Sequence, residues 1–127
     1  MNYDELEDKL RELKIEDFIW VIYIGIIILS WYANSLERDY FFNNNIESKN
    51  KYRNIIIIIF SILIIVYYYF LKDSYDSLRN ININDTDEKK SLLYLSFIAS
   101  LLIFISGIIF LYIAYKDENI DVELAFN

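Results

Sequence analysis

The sequence contains no cysteine, no histidine and no proline, and only two glycines in 127 residues. The lack of cysteine excludes disulfides and thiolate metal ligands, and the lack of histidine removes the imidazole of common metal sites and nucleophile–base pairs. Two clusters of acidic residues match no calcium-binding loop, and no nucleophile–base pair accompanies them. They are Asp117 with Glu118, and Asp85 with Asp87 and Glu88. We therefore expect no catalytic residue, no metal and no cofactor. A pI near 4.5 also disfavours nucleic-acid binding.

Apolar residues are abundant: 56% of the chain is hydrophobic and 18% is aromatic. They form three uncharged runs, at residues 18–33, 55–71 and 92–115. Each run is far longer than a typical strand of roughly 5 to 6 residues, and in lipid a helix satisfies its own backbone groups. The sequence predicts an all-α integral membrane protein with transmembrane helices at residues 18–35, 54–72 and 91–115. With the tail at 116–127, residues 1–127 form one membrane domain.

The segment before the first span predicts a short N-terminal amphipathic helix at residues 2–17. Its apolar stripe contains Tyr3, Leu6, Leu10 and Leu13, at alternating spacings of three and four. Seven acids against three bases make the segment net negative, so attraction to anionic lipids cannot hold it on a membrane. We expect the leucines to contact either loops of the same chain or identical subunits. The acidic segment is also unlike a cleaved signal peptide.

The location and orientation follow from composition and from the positive-inside rule. Seven lysines and arginines flank the spans on the amino-terminal side and five on the other, which favours a cytoplasmic N-terminus. The abundance of isoleucine, asparagine, lysine and tyrosine fits an AT-rich bacterial genome. We therefore expect the inner (plasma) membrane of a bacterium, with the lipid bilayer as the first partner.

Small residues in the third span lie on one face of the predicted helix. At 100° per residue they fall within about one third of the circumference. In a bilayer, such a face lets helices approach closely and lets hydroxyls bond across them. We predict either a helix-packing seam or, in a ring of identical chains, the border of a water-filled path. The six residues are Ser96, Ala99, Ser100, Ser106, Gly107 and Ala114.

Acidic residues flank both ends of the spans. The amino-terminal side carries twelve acids and seven bases, and the other side carries seven acids and five bases. In an oligomeric ring these charges would multiply and concentrate cations at both openings. The candidate pore-mouth residues are Asp73, Asp76, Asp117 and Glu118. The alternative is ordinary solvated charge at the ends of membrane helices.

In size, spans and acidic ends, the chain resembles the small membrane effectors of bacterial anti-phage defence, including the Hailong-type effector. The resemblance includes no sequence motif, so no functional residue of that family can be assigned in this chain. It implies an electronegative pore of small subunits, held closed by an oligonucleotide that a partner nucleotidyltransferase makes. We expect a homo-oligomeric, cation-permeable channel. The alternatives are a holin-like lytic protein and a nonconducting accessory subunit.

Overall fold

The computed structural model describes residues 2–124, which form three α-helices. Helix α1 spans Tyr3–Asn43, α2 spans Ile46–Arg79 and α3 spans Asp87–Lys116. Among the described residues the helices pair only as α1 with α2 and α2 with α3. Helix α2 is therefore the middle of a single layer, with α1 and α3 on its two sides.

The predicted all-α class is confirmed, and two helices are long and apolar enough to cross a membrane. They are α2 and α3, which contain the predicted spans 54–72 and 91–115. The predicted N-terminal helix is not a separate element, because residues 2–17 lead without a break into α1, 41 residues long. No proline or glycine lies between Asn2 and Ile24, so nothing in the sequence ends the helix there.

The α1–α2 contact is built from apolar side chains at heptad spacing. In α1, Ile19, Ile26 and Ala33 are buried seven residues apart. Five of the six buried apolar residues of α2 recur at steps of four and three, as in antiparallel pairs of helices with interlocking side chains. They are Tyr52, Ile56, Ile59, Leu63 and Val66, and the sixth is Phe60. This regular contact fixes the register of α1 against α2.

Helix α3 is mostly exposed, although it is the most apolar of the three. Its only buried residues are Gly107 and Ala114. Large side chains such as Leu102 and Tyr112 are 59% and 62% exposed. An apolar surface of this extent is rare on soluble monomers, and it is the surface that lipid or another helix covers.

Polar side chains define where each helix begins. The Asn2 side chain accepts a hydrogen bond from the Glu5 amide at 2.8 Å, which caps α1. The α1–α2 turn is Asn44 and Asn45, with Asn44 in the left-handed region at φ 51°, within the stretch of asparagines at which the sequence suggests a turn. Thr86 caps α3 by accepting from the Lys89 amide at 3.1 Å.

The tail after α3 folds back over the helices. Asp117 ends α3, and Ile120 has φ 57°, which turns the chain. Leu124 is 7% exposed and belongs to the same apolar cluster as Ala33 and Ile56. The alternating pattern of residues 120–126 is typical of an extended strand, but residues 117–124 form a folded loop. Ala125 and Phe126 lie outside the described residues.

Candidate functional site

Part of the small-residue face of α3 lies inside the α2–α3 contact, and the rest lies outside it. Gly107 lies inside that contact: a Cβ atom added there would lie 3.1 Å from Tyr67 Cδ2 and 3.4 Å from Ile64 Cγ1. The contact with Tyr67 is tighter than most Cβ contacts, so even an alanine would require the Tyr67 ring to shift by a few tenths of an ångström, and glycine lets α3 approach α2 closely here. Ala114 is also buried, and Ser100 is half-buried. We call Ser100, Gly107 and Ala114 the covered half of the face.

The other three residues, Ser96, Ala99 and Ser106, are exposed, and we call them the uncovered half. The Ser106 hydroxyl donates to the carbonyl of Leu102 at 2.8 Å. This bond satisfies the hydroxyl proton inside the helix and leaves the oxygen available as an acceptor on the exposed side. No described residue of α1, α2 or the tail covers this half.

The candidate pore-mouth acids at the amino-terminal side line one open groove. Asp73 and Asp76, at the end of α2, line it with Glu12 of α1 and with Asp85 and Lys89 at the start of α3. Glu12 and Asp85 were not among the predicted pore-mouth residues, because their positions in the groove depend on how the three helices come together. The groove brings four carboxylates and one lysine ammonium to one end of the layer.

Asp85 is the most strongly bound of these carboxylates. It accepts from the Asn82 amide at 2.9 Å and from Lys89 Nζ at 3.1 Å. The backbone bond from Asn82, followed by the bond from Lys89, lowers the pKa of Asp85 below its usual value. Asp85 therefore stays ionised, and Lys89 compensates part of the groove's negative charge.

The two predicted acids at the opposite side differ from each other. Both carboxylate oxygens of Asp117 are occupied, since they accept from the amides of Asp121 at 3.0 Å and Val122 at 2.7 Å. Asp117 thus holds the tail in its turn. Glu118 is exposed and directs its charge to solvent. Sequence spacing cannot distinguish these roles, because the fold of the tail decides them.

Asp39 organises the α1–α2 turn at the same side of the molecule. Its carboxylate accepts from Asn43 Nδ2 at 2.7 Å, from Asn45 Nδ2 at 2.8 Å and from Ser48 Oγ at 2.5 Å. The hydrogen bond from Ser48, followed by those from the two asparagines, lowers the pKa of Asp39. Asp39 was not predicted as a functional or structural residue, although its spacing of four from Asn43 indicates a side-chain hydrogen bond on a helix.

The three N-terminal leucines remain uncovered. Leu6, Leu10 and Leu13 are 45%, 57% and 43% exposed on the first turns of α1. Ion pairs of Arg11 with Glu7 and Asp8, on the polar surface of the same turns, are exposed and contribute little. Contact of the leucines with an identical subunit stays a prediction.

Residues 2–124 contain no group of three or more acidic side chains placed to hold a metal ion. Comparison with protein-family models, with curated proteins and with solved structures finds no match to this chain.

Proposed function

We propose that this chain is a subunit of a homo-oligomeric, cation-permeable membrane channel. The observation that carries the proposal is the uncovered half of the α3 face: Ser96, Ala99 and Ser106 are exposed in an otherwise bulky apolar surface. Small side chains in a bilayer favour close approach of a second helix, and residues 2–124 provide none at this surface. An identical subunit is the simplest partner for this surface.

A path for ions requires several copies of the chain. Helices α1 and α3 do not touch each other in the described residues, so the three helices form an open layer with no lumen of their own. Closed cyclic symmetry is the common way for identical membrane subunits to enclose a path. In such a ring, the hydroxyl oxygen of Ser106 and that of Ser96 supply acceptors for a partly hydrated cation.

The preference for cations rests on the acidic groove. Asp73 and Asp76 contribute two carboxylates per subunit that form no ion pair within residues 2–124, and Glu12, whose ion pair with Lys9 at 3.9 Å is exposed, adds a third. Repetition around a ring produces a negative mouth, which raises the local cation concentration. Residues 18–35 of α1 complete the membrane region as a third span, since residues 18–36 carry no charge.

The cellular setting of the proposal is the inner membrane of a bacterium, with the N-terminus in the cytoplasm. A role in anti-phage defence, with a regulatory oligonucleotide from a partner nucleotidyltransferase, rests on the resemblance in overall plan alone. In this role, channel opening would depolarise the infected cell.

Single-channel recording of the purified protein in a planar bilayer under a KCl gradient tests the function. We expect small discrete currents that reverse near the potassium equilibrium potential. Large irregular leaks would instead indicate a holin-like protein, and silence would indicate a nonconducting accessory subunit. Either result overturns the proposal.

Two pairs of substitutions, one in the groove and one away from it, test whether the groove carboxylates form the pore mouth. Each pair removes two negative charges. Asp73→Asn with Asp76→Asn should reduce the single-channel conductance at low salt roughly threefold, and less at high salt, because salt screens the mouth. The control, Asp4→Asn with Glu5→Gln, removes the same charge two turns before Glu12 and should have little effect. Equal effects of the two pairs would contradict the assignment of the mouth.

A further inference from the structure

The folded tail, residues 117–124, borders a small cavity at the amino-terminal end of α2. Tyr52 and Arg53 of α2, Ala114 near the end of α3 and Asp117 of the tail contribute to the lining. The cavity volume is about 20 Å³, which is enough for one water molecule and too little for a larger ligand. The cavity therefore lies where α2, α3 and the tail meet.

The Arg53 side chain has one donor that the described part of the chain does not satisfy. Its Nη2 donates to the Tyr115 carbonyl at 3.0 Å, which satisfies one of the last carbonyls of α3. Its Nε is buried, and no atom of residues 2–124 accepts a hydrogen bond from it. The guanidinium always keeps its charge, so leaving a buried N–H of this group unpaired is strongly unfavourable, and nearly all such donors bond to protein or to ordered water. The Arg53 Nε–H therefore calls for an acceptor that fits the cavity.

Asp117 provides an acceptor in the lining of the same cavity. Its two carboxylate oxygens accept from the amides of Asp121 at 3.0 Å and Val122 at 2.7 Å, and each oxygen can accept a second hydrogen bond. Arg53 and Asp117 form no ion pair with each other. An ion of either sign would meet a like charge in so small a space, whereas a water molecule can accept from the guanidinium and donate to the carboxylate. The lining therefore selects a neutral molecule of the size of water.

We propose that one ordered water molecule binds in this cavity, where it accepts from Arg53 Nε–H and donates to the Asp117 carboxylate. The water links α2 to the first residue of the tail, and the Arg53 Nη2 bond links α2 to the last turn of α3. Arg53 is therefore the residue through which three segments of the chain are joined. A water bridge of this kind is nearly as favourable in enthalpy as a direct hydrogen bond. The inference does not depend on ion conduction.

The contacts around the cavity favour a water that exchanges slowly with bulk solvent. Lys49 Nζ donates to Asn119 Oδ1 at 3.4 Å, which holds the tail to α2. Leu124 is 7% exposed and packs into the apolar cluster of the helices, which fixes the far end of the tail. Cavities that stay empty in proteins are lined by apolar groups alone, and this one is not. The charged pair of Arg53 and Asp117 thus decides that the cavity is hydrated.

Proton-detected NMR of the isotope-labelled full chain in lipid nanodiscs tests for the water. The Nε–H signal of Arg53 is identified as the one that disappears in Arg53→Lys. We expect a dipolar cross-peak between this proton and water that is about threefold stronger, or more, than that of Arg11, whose side chain is 66% exposed. A second cross-peak, between water and the amide proton of Val122, should place the water beside Asp117. The absence of either cross-peak would overturn the proposal.

Substitutions that fill the cavity test where the water lies. Ala114→Val enlarges a lining residue and should abolish the Arg53 cross-peak, whereas the matched control Ala99→Val, at an exposed position of the same helix, should keep it. Val122→Ile, on the tail side of the cavity, should weaken the cross-peak about twofold or more, and it decides alone if Ala114→Val does not fold. A cross-peak of wild-type strength in the cavity variants, or its loss in Ala99→Val, would contradict the proposal. Bilayer currents are not part of this readout, so it fails or succeeds separately from the proposed channel.

Discussion

Ser106 and Gly107 are neighbours in the sequence, but they lie on opposite sides of a boundary in the structure. Gly107 is buried against Tyr67 and Ile64 of α2. Ser106 is exposed, and among residues 2–124 its hydroxyl bonds only to its own helix. The same division separates Ala114 from Ala99, of which the first is buried and the second exposed. One stripe of small residues therefore holds two surfaces with different contacts.

The difference shows that residue size alone does not assign a role to a membrane helix face. A small residue permits close approach, but the partner depends on which helix of the chain already occupies the space. In the covered half, α2 and the tail take up that space. In the uncovered half, the space is available to a second copy. Substitutions in the two halves should consequently affect different measurements.

The largest expected effect is that of Gly107→Leu. The new side chain would overlap Tyr67 and Ile64, and overpacking of this kind costs about 1–3 kcal/mol of folding free energy. We expect a lower thermal midpoint in mild detergent, followed through the fluorescence of the two tryptophans.

The matched control is Gly25→Leu in α1, where no atom of the described residues, apart from the chain neighbours and the local helix backbone, lies within 4 Å of an added Cβ. It should leave the midpoint unchanged or raise it, since leucine favours helix more than glycine by about 1 kcal/mol. Equal decreases in the thermal midpoint for Gly107→Leu and Gly25→Leu would contradict the difference between a covered and an open position.

The second-largest expected effect is a change in the oligomeric state of the protein. Ala99→Leu with Ser106→Leu should separate the oligomer into smaller species on a sizing column, while the thermal midpoint of the subunit stays near that of the wild type. The reason is that larger side chains on the uncovered half prevent close helix approach between copies.

Ile108→Phe provides the control for this experiment, because Ile108 lies about 180° around the helix from Ala99 and is also exposed. Its elution volume should match that of the wild type. If the double leucine variant elutes like the control, the uncovered half is not where copies meet.

The smallest effect should come from the α1–α2 turn, which belongs to neither half. Asp39→Asn removes a carboxylate that accepts from Asn43, Asn45 and Ser48. Because these bonds lower the pKa of Asp39, its contribution to stability is present above the ordinary value of 3.8 and is lost as the pH falls through the lowered value. Thermal midpoints should thus differ slightly between wild type and variant at about pH 7 and converge at about pH 2. A constant difference would argue against the carboxylate as the cause.

Much of the fold could be predicted because it depends on local patterns. Apolar runs longer than any strand indicate helices, and the asparagines at residues 43–45 indicate the turn. The join between residues 2–17 and α1 was missed because a change from polar to apolar composition does not end a helix. The pair of Asp85 and Glu88 predicts Asp85 as the cap of α3, but this prediction is wrong by one residue, because the cap is Thr86.

The candidate site was only partly predictable, because the boundary between the covered and uncovered halves depends on residues that are far from α3 in the sequence. Helical geometry places all six small residues of α3 on one face. The boundary between the halves is set by Ile64 and Tyr67, about forty residues earlier in the chain, and the sequence does not specify where they lie around α3.

The most direct test of the central claim is the mass of the purified protein in nanodiscs, measured by native mass spectrometry. We expect one closed assembly of several 15.3 kDa chains, which dissociates in the Ala99→Leu with Ser106→Leu variant and persists in Ile108→Phe. A monomeric wild-type protein would contradict it, because a single open layer of three helices cannot surround a path for ions.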